Sequence, residues 1–228
     1  MATGALVLGG GGITGIAWEV GMLAGLADHG IDLRDADLVV GTSAGSVVGA
    51  LITSGAGLEE LYASQLAPPE PTRPARMGVA TIVRWCWAAA RCRSREQVAA
   101  RVGKLALAKL TVPEAERREI IEARLRVHTW PAQALLVTAV DAESGEFAAF
   151  GKDSQVGDTS VTLVDAVTAS CALPGVWPPA AIGGRHWIDG GVRSVANADL
   201  AAGYERVVVL APIRGFGSPR FSRNVVPV

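Results

Sequence analysis

Cysteine and histidine are both scarce in this chain of 228 residues, at three each. Cys86, Cys92 and Cys171 are odd in number and have no C-x-x-C spacing, so neither a disulfide framework nor a zinc cluster is expected. Reduced thiols fit a cytoplasmic protein. An excess of charge of one sign is also absent: 21 Lys and Arg stand against 22 Asp and Glu, for a net charge of −1. Nothing in that balance, nor any known motif, points to nucleic acid as a partner. No run of about eighteen apolar residues occurs, so no segment is expected to span a bilayer. The opening MATGALVLGGGG has neither a positive start nor a long apolar stretch, so no secretory leader is expected.

Apolar residues, by contrast, make up 50% of the chain, enough for one large domain over residues 1–228. Ala5–Leu8 reads as a short buried strand, followed by a glycine turn and a helical pattern through Ile16, Val20 and Leu23. Leu38–Val40 repeats the arrangement, with Gly41–Gly45 as the turn and a helix through Val47, Val48 and Leu51. Two such units predict a mostly parallel sheet between helical layers, with the loops that carry chemistry at the carboxyl ends of the strands. Further strands are expected at Leu135–Val140 and Val207–Leu210, a hairpin turn at Ser144-Gly145, and a helix over Leu163–Leu173 ended by Pro174.

Residues 68–126 differ in character. The prolines of PPEPTRP mark a hinge, and helical stretches follow at Val79–Ala90, Arg95–Leu110 and Pro113–Arg126. Between Arg73 and Lys109 nine basic residues face one acid, Glu96, a local charge of +8. Trp85 and Trp87 lie among these arginines, a combination found in helices that rest on anionic membranes. A core-packed helix with a solvated basic face reads equally well.

Gly41-Thr42-Ser43-Ala44-Gly45 is a G-x-S-x-G sequence between a strand and a helix. The glycines Gly41 and Gly45 permit a sharp turn that exposes the serine as a nucleophile at a helix N-terminus. A serine can instead simply cap that helix. Gly10-Gly11-Gly12-Ile13-Thr14-Gly15 fits G-x-G-x-x-G, a dinucleotide fingerprint. That reading wants an acid at the end of the second strand, where this chain has the serine turn. The better reading is an oxyanion hole made by the N–H groups of Gly11 and Gly12, facing Ser43.

A serine nucleophile needs a base. His29 falls at a helix end, while His128 and His186 leave a Ser-His-Asp triad open. Asp189 is the stronger candidate, since it ends an apolar strand and precedes Gly190-Gly191, a turn able to project its carboxylate. Burial would raise the basicity of an aspartate. Cys171, among alanines and leucine in TASCALPG, reads as a small core residue.

LVLGGGGITGIAWEVGML, VVGTSAGSVVGAL, ASCALPGVWPP and WIDGGVRSVANADLA, in this order, resemble the patatin-like phospholipase (acyl hydrolase) family over nearly the whole chain. The resemblance implies a three-layer α/β/α fold with a helical cap insertion at about 68–126. It implies a Ser43–Asp189 dyad without histidine, with Gly10, Gly11 and Gly12 as the oxyanion hole. It further implies hydrolysis of lipid or phospholipid esters through an acyl-serine, with no cofactor and no metal. An acyltransferase with the same dyad, or a nucleotide-binding domain, are the alternatives. Thr14 stands where many relatives have Arg or Lys, so a cationic contact near the oxyanion turn is missing. Relatives also often continue beyond the strand at Val207–Leu210.

Overall fold

A computed structural model of the chain describes residues 3–67, 92–108 and 112–213, together with the backbone of 225–227. The strands β1 (Gly4–Leu8), β2 (Leu38–Gly41), β3 (Ala134–Asp141), β9 (Arg206–Leu210) and β10 (Val225–Pro227) run parallel in the order β10-β9-β1-β2-β3. β4 (Phe147–Phe150) and β8 (Arg185–Asp189) pair antiparallel with β3, and β7 (Ala180–Ile182) pairs antiparallel with β8. A two-stranded ribbon of β5 (Gln155–Val156) and β6 (Thr159–Ser160) stands apart.

Alternate residues of the parallel strands enter different cores, as side chains on opposite faces of a sheet must. Leu6, Leu8 and Val39 pack with Ile16, Val20, Val47 and Val48 of helices α1 (Gly12–Asp28) and α2 (Ala44–Thr53). Ala5, Val7 and Val40 face the other way, alongside Val207 and Val209 of β9, where Ala201 and Leu200 cover them. Both faces are therefore covered, which is why these strands read as unbroken apolar runs. The fold is three-layered α/β/α with a mostly parallel central sheet, as expected.

After α3 (Leu58–Leu66) the next described helix is α4 (Arg95–Leu107), capped by the Ser94 hydroxyl on the Gln97 N–H at 3.2 Å. Ala99 and Ala106 of α4 pack on Val140, Ala142 and Ile188, and a Cβ at Gly103 would lie 2.0 Å from the Ala142 carbonyl oxygen. Arg101 and Lys104 face solvent. Helix α5 (Glu114–Arg124) buries Ile121 fully and packs on α6 (Leu163–Ser170). The described parts of the expected insertion are thus built into the domain core. The hinge at 68–74, the helix at Val79–Ala90, and Trp85, Cys86 and Trp87 lie outside the described residues.

The helix expected to reach Leu173 ends at Ser170. Cys171 still bonds to Val167, but Ala172 and Leu173 turn back onto Ala169 and Cys171, because the residues before Pro174 are steered out of the helical region. The β7–β8 hairpin was not expected. Its turn is Gly183-Gly184, at φ +58° and +73°, a two-glycine hairpin signal that the neighbouring prolines obscured.

The register around β3 decides where the site falls. Val137 pairs with Gly41 on one side and Phe150 on the other, so β2 and β4 occupy opposite edges. Ala139 pairs with Ala148 of β4 and with Asp189 of β8, so β8 takes the edge that β2 has vacated. β2 and β8 end two residues apart along one edge of β3, pointing toward each other. That brings the chain around Ser43 to Asp189.

Candidate active site

Ser43 sits at φ +53° and ψ −113°, a backbone conformation that L-residues rarely hold and that costs on the order of 1–3 kcal/mol. Contacts on all sides impose it. The Ser43 N–H donates to Ser170 Oγ at 2.9 Å, and its carbonyl accepts from Ser46 Oγ at 2.6 Å and from Cys171 Sγ at 3.4 Å. The flanking glycines are sterically required: a Cβ at Gly41 would lie 2.6 Å from the Gly45 carbonyl oxygen, and one at Gly45 only 2.2 Å from that of Leu8. The Ser43 hydroxyl caps no amide of α2, so the capping alternative does not describe it.

Asp189 is 2% exposed, and burial pushes its carboxyl up to about 6. The Ser43 hydroxyl beside it, the Gly191 N–H at 2.7 Å from Oδ1, and the more distant charge of Arg117 work in the opposite direction. The Asp189 N–H donates to the Ala172 carbonyl at 3.1 Å, which ties the base to the segment behind Ser43. A Cβ at Gly190 would meet Thr138 Oγ1 at 2.3 Å, and one at Gly191 would meet Asp189 Oδ1 at 2.9 Å. Both glycines therefore serve the close approach of this turn to β3 and to the carboxylate.

The glycine turn lies directly across from the serine, with a Cβ built at Gly10 only 3.6 Å from Ser43 Cβ. The three expected oxyanion glycines are not equivalent. The Gly10 N–H donates to the Val195 carbonyl at 2.8 Å, so its donor is already engaged. The N–H groups of Gly11 and Gly12 have no partner among the described residues, and Gly12 opens α1, whose first amides point outward with the positive end of the helix dipole. No acid follows β2, which runs straight into the serine turn.

None of the three histidines meets this site. His29 caps α1 and bonds to Gly25, and His128 bonds to the Glu122 and Leu125 carbonyls. His186 is three residues before Asp189 on the same strand, an odd separation that turns it to the opposite face, 3.7 Å from Glu143. The triad left open by the sequence is therefore not assembled among the described residues.

Three further residues matter that sequence reading did not single out. Asn197 is fully buried in the left-handed conformation at φ +51°. Its Nδ2 donates to Thr42 Oγ1 at 3.1 Å, Thr138 Oγ1 at 3.3 Å, the Gly190 carbonyl at 3.3 Å and the Ser194 carbonyl at 2.8 Å. It thereby joins the serine turn, the sheet and the aspartate turn. Its place in VANADLA, just beyond the aspartate turn, was the available signal. Glu19 of α1 is fully buried with both carboxylate oxygens unpartnered, and burial pushes it up to about 9 against the Gly9 N–H. Arg117 of α5 is 4% exposed, with its guanidinium 4.0 Å above the Trp177 ring.

Cys171 is buried as expected, its thiol pushed up by burial, and it forms part of the wall behind Ser43. Among the described residues no group of three or more His, Cys, Asp or Glu could hold a metal ion. A cavity of about 410 Å³ lies away from the site, at the amino ends of β2 and β3, lined by Leu38, Trp130, Gln133 and Tyr204.

The family profile of the patatin-like phospholipases matches residues 6–202. The chain belongs to the patatin-like phospholipase family. Comparison with curated proteins finds no match. Among solved structures it is similar to VipD from Legionella pneumophila, with 12% identity, a TM-score of 0.47, and coverage of 91% of this chain and 49% of that one. It is also similar to the type III effector protein ExoU, with 21% identity, a TM-score of 0.40, and coverage of 77% of this chain and 41% of that one. The chain therefore spans about half the length of either protein or less.

Proposed function

We propose that this chain hydrolyses the acyl esters of lipids, with phospholipids or lysophospholipids as the natural class, through a Ser43–Asp189 dyad. The observation that carries the reading is a strained serine beside a buried carboxyl at about 6, across from two unpaired amides. A base near 6 is ionised at neutral pH yet basic enough to take part of a hydroxyl proton. Membership of a family described as phospholipases supplies the substrate class.

In the first half-reaction the Asp189 carboxylate accepts the Ser43 proton while Oγ adds to the ester carbonyl. The negative oxygen of the tetrahedral intermediate takes hydrogen bonds from the Gly11 and Gly12 amides, which are fixed before the charge develops. As the intermediate collapses, the Asp189 acid protonates the departing alcohol and an acyl-serine remains. The same carboxylate then takes a proton from water, the hydroxide adds to the acyl carbon, and Ser43 leaves with the proton returned. If an alcohol takes the place of water, the same cycle becomes acyl transfer.

Labelling with a fluorophosphonate tests the reading. The wild-type protein is expected to label and Ser43→Ala is not, while both Ser43→Ala and Asp189→Asn lose at least about 1,000-fold in p-nitrophenyl ester hydrolysis. Full activity in either variant with an intact fold would overturn the dyad. Product analysis with an added alcohol separates hydrolase from transferase. The basic stretch 73–109 is the segment we assign to contact with anionic membrane.

A further inference from the structure

Arg117 is an anomaly of charge. It is 96% buried, and none of the ion pairs among the described residues includes it. Its Nε is sealed from solvent without a hydrogen-bond partner. An isolated charge in such a place costs far more than a paired one, so buried guanidinium groups normally face a carboxylate. Here the compensation on hand is partial: the Trp177 ring at 4.0 Å, and the negative potential of Asp189 at longer range. Arg124 adds a like charge, and Cys171 is the other titratable group within electrostatic reach.

The position of this cation ties it to the site. Helix α5 packs on α6, and the segment that leaves α6 carries Cys171, against the Ser43 carbonyl, then Ala172, which accepts the Asp189 N–H, then Trp177. The ring beneath Arg117 thus belongs to the same short segment that braces both members of the dyad. At the glycine turn the neutral Thr14 offers no cation, its hydroxyl turned back onto the Gly11 carbonyl at 3.2 Å. With Nε sealed, the Nη groups of a guanidinium stacked on an aromatic ring are the donors it can offer, and their in-plane edge matches the oxygens of a phosphate.

We propose that Arg117, held on Trp177 of the segment that braces the dyad, is the site that recognises the phosphate of an ester substrate, making it a specificity-determining residue of this chain. The proposal rests on the hydrolase reading above for its catalytic consequence, though not for the binding itself. The incoming phosphate supplies the charge partner that the described residues do not, and it places the neighbouring acyl ester near Ser43. Selectivity for phosphate-bearing esters over neutral ones then arises on α5 rather than on the glycine turn.

Two measurements test this on the full chain. The first compares kcat/KM for 1-acyl lysophosphatidylglycerol with that for a 1-acylglycerol of the same acyl length. The ratio of the two is expected to fall at least tenfold in Arg117→Gln and at least threefold in Arg117→Lys, which keeps the charge but not the fork. Equal losses on both esters, or an unchanged ratio, would overturn the proposal in favour of a purely structural strut. The second uses calorimetric binding of octyl phosphate, 1-octanol and inorganic phosphate, without turnover. Octyl phosphate is expected to bind the wild type at least tenfold more tightly than it binds Arg117→Gln, while the two proteins bind 1-octanol alike. Inorganic phosphate binding as tightly as octyl phosphate would mark a site for the free ion and overturn the assignment to substrate. Should Arg117→Gln fail to fold, Arg117→Lys carries both measurements, with at least threefold as the limit in each. A wild type that hydrolyses neither ester but binds octyl phosphate through Arg117 would overturn the hydrolase reading while leaving the phosphate site standing.

Discussion

An aspartate in water keeps its proton only below about pH 4 and accepts one from a serine hydroxyl poorly. Asp189 escapes that limit because almost nothing of it reaches solvent, and the Ser43 hydroxyl, the Gly191 amide and the distant Arg117 charge do not offset the lost hydration. Two outcomes follow. Ester hydrolysis should rise with pH through about 6, as the carboxylate form of Asp189 appears, and a pH–rate profile checks this. Stability runs the other way: the folded state holds this proton up to about 6 while the unfolded chain releases it near 3.8, so stability declines as pH rises between those values. Asp189→Asn should therefore lose activity yet gain on the order of 2–3 kcal/mol at pH 7.5, less whatever its Ser43 contact contributed. Chemical denaturation measures that gain. Glu19 obeys the same linkage more strongly, with a folded value of about 9 against 4.5 unfolded. No charged group opposes it: β1 and α2 carry no titratable side chain, and Glu59, Glu60 and Tyr62 of α3 are exposed. Glu19→Gln should raise Tm at pH 8 by at least about 5 °C, with the gain shrinking toward pH 5. A Tm difference independent of pH would contradict a neutral Glu19.

At the scale of elements, the site is a junction of three loops that no single helix or strand holds in place. The Gly10 N–H reaches Val195, the Gly45 N–H reaches the Gly9 carbonyl, and Asn197 spans Thr42, Thr138 and Gly190. Asn197→Ala removes the amide and leaves those partners short of a donor, and it places alanine at φ +51°, which alanine tolerates worse than asparagine. The expected result is a loss of 1–3 kcal/mol in stability and at least about tenfold in kcat, with KM less affected. Steady-state kinetics beside thermal melting checks both. Much of this junction was legible in the sequence, because steric exclusion leaves marks in the letters. Gly41, Gly45, Gly190 and Gly191 are glycines since other backbone or the base itself occupies the space of a Cβ. Asn197 and Ser170 were not legible as site residues, because the contacts that bind them to the serine turn and to β3 lie 155 and 59 positions away for Asn197 and 127 away for Ser170.

For the whole molecule, charge is distributed unevenly although its sum is near zero. Residues 73–109 carry +8 in a chain of net −1, which leaves −9 on the remainder. Binding to vesicles containing anionic lipid should therefore weaken steeply between 50 and 500 mM salt, roughly as the screening length falls below the size of the basic patch. Replacing Arg93, Arg101 and Lys104, which are exposed on or beside α4, should weaken it further. Co-sedimentation measures both, and binding indifferent to salt and to these replacements would dismiss the membrane contact. Among the described residues no helix is long and apolar enough to cross a membrane.

Strand positions, the two glycine turns and the identity of Ser43 followed from local chemistry: apolar runs bury, and glycine is retained where a Cβ cannot fit. Asp189 was the favoured base for its place before Gly190-Gly191, but the letters left His186 open beside it. Asp189 and His186 sit three residues apart in the sequence, and each is a plausible partner for a serine on composition alone. What separates them is the pleat of β8, which sends them to opposite faces, and the register of β3, which gives the β2 edge to both Gly41 and Asp189. Burial and pairing of that kind belong to no stretch of letters, because they arise only when strands as distant in sequence as β2 and β8 share one edge.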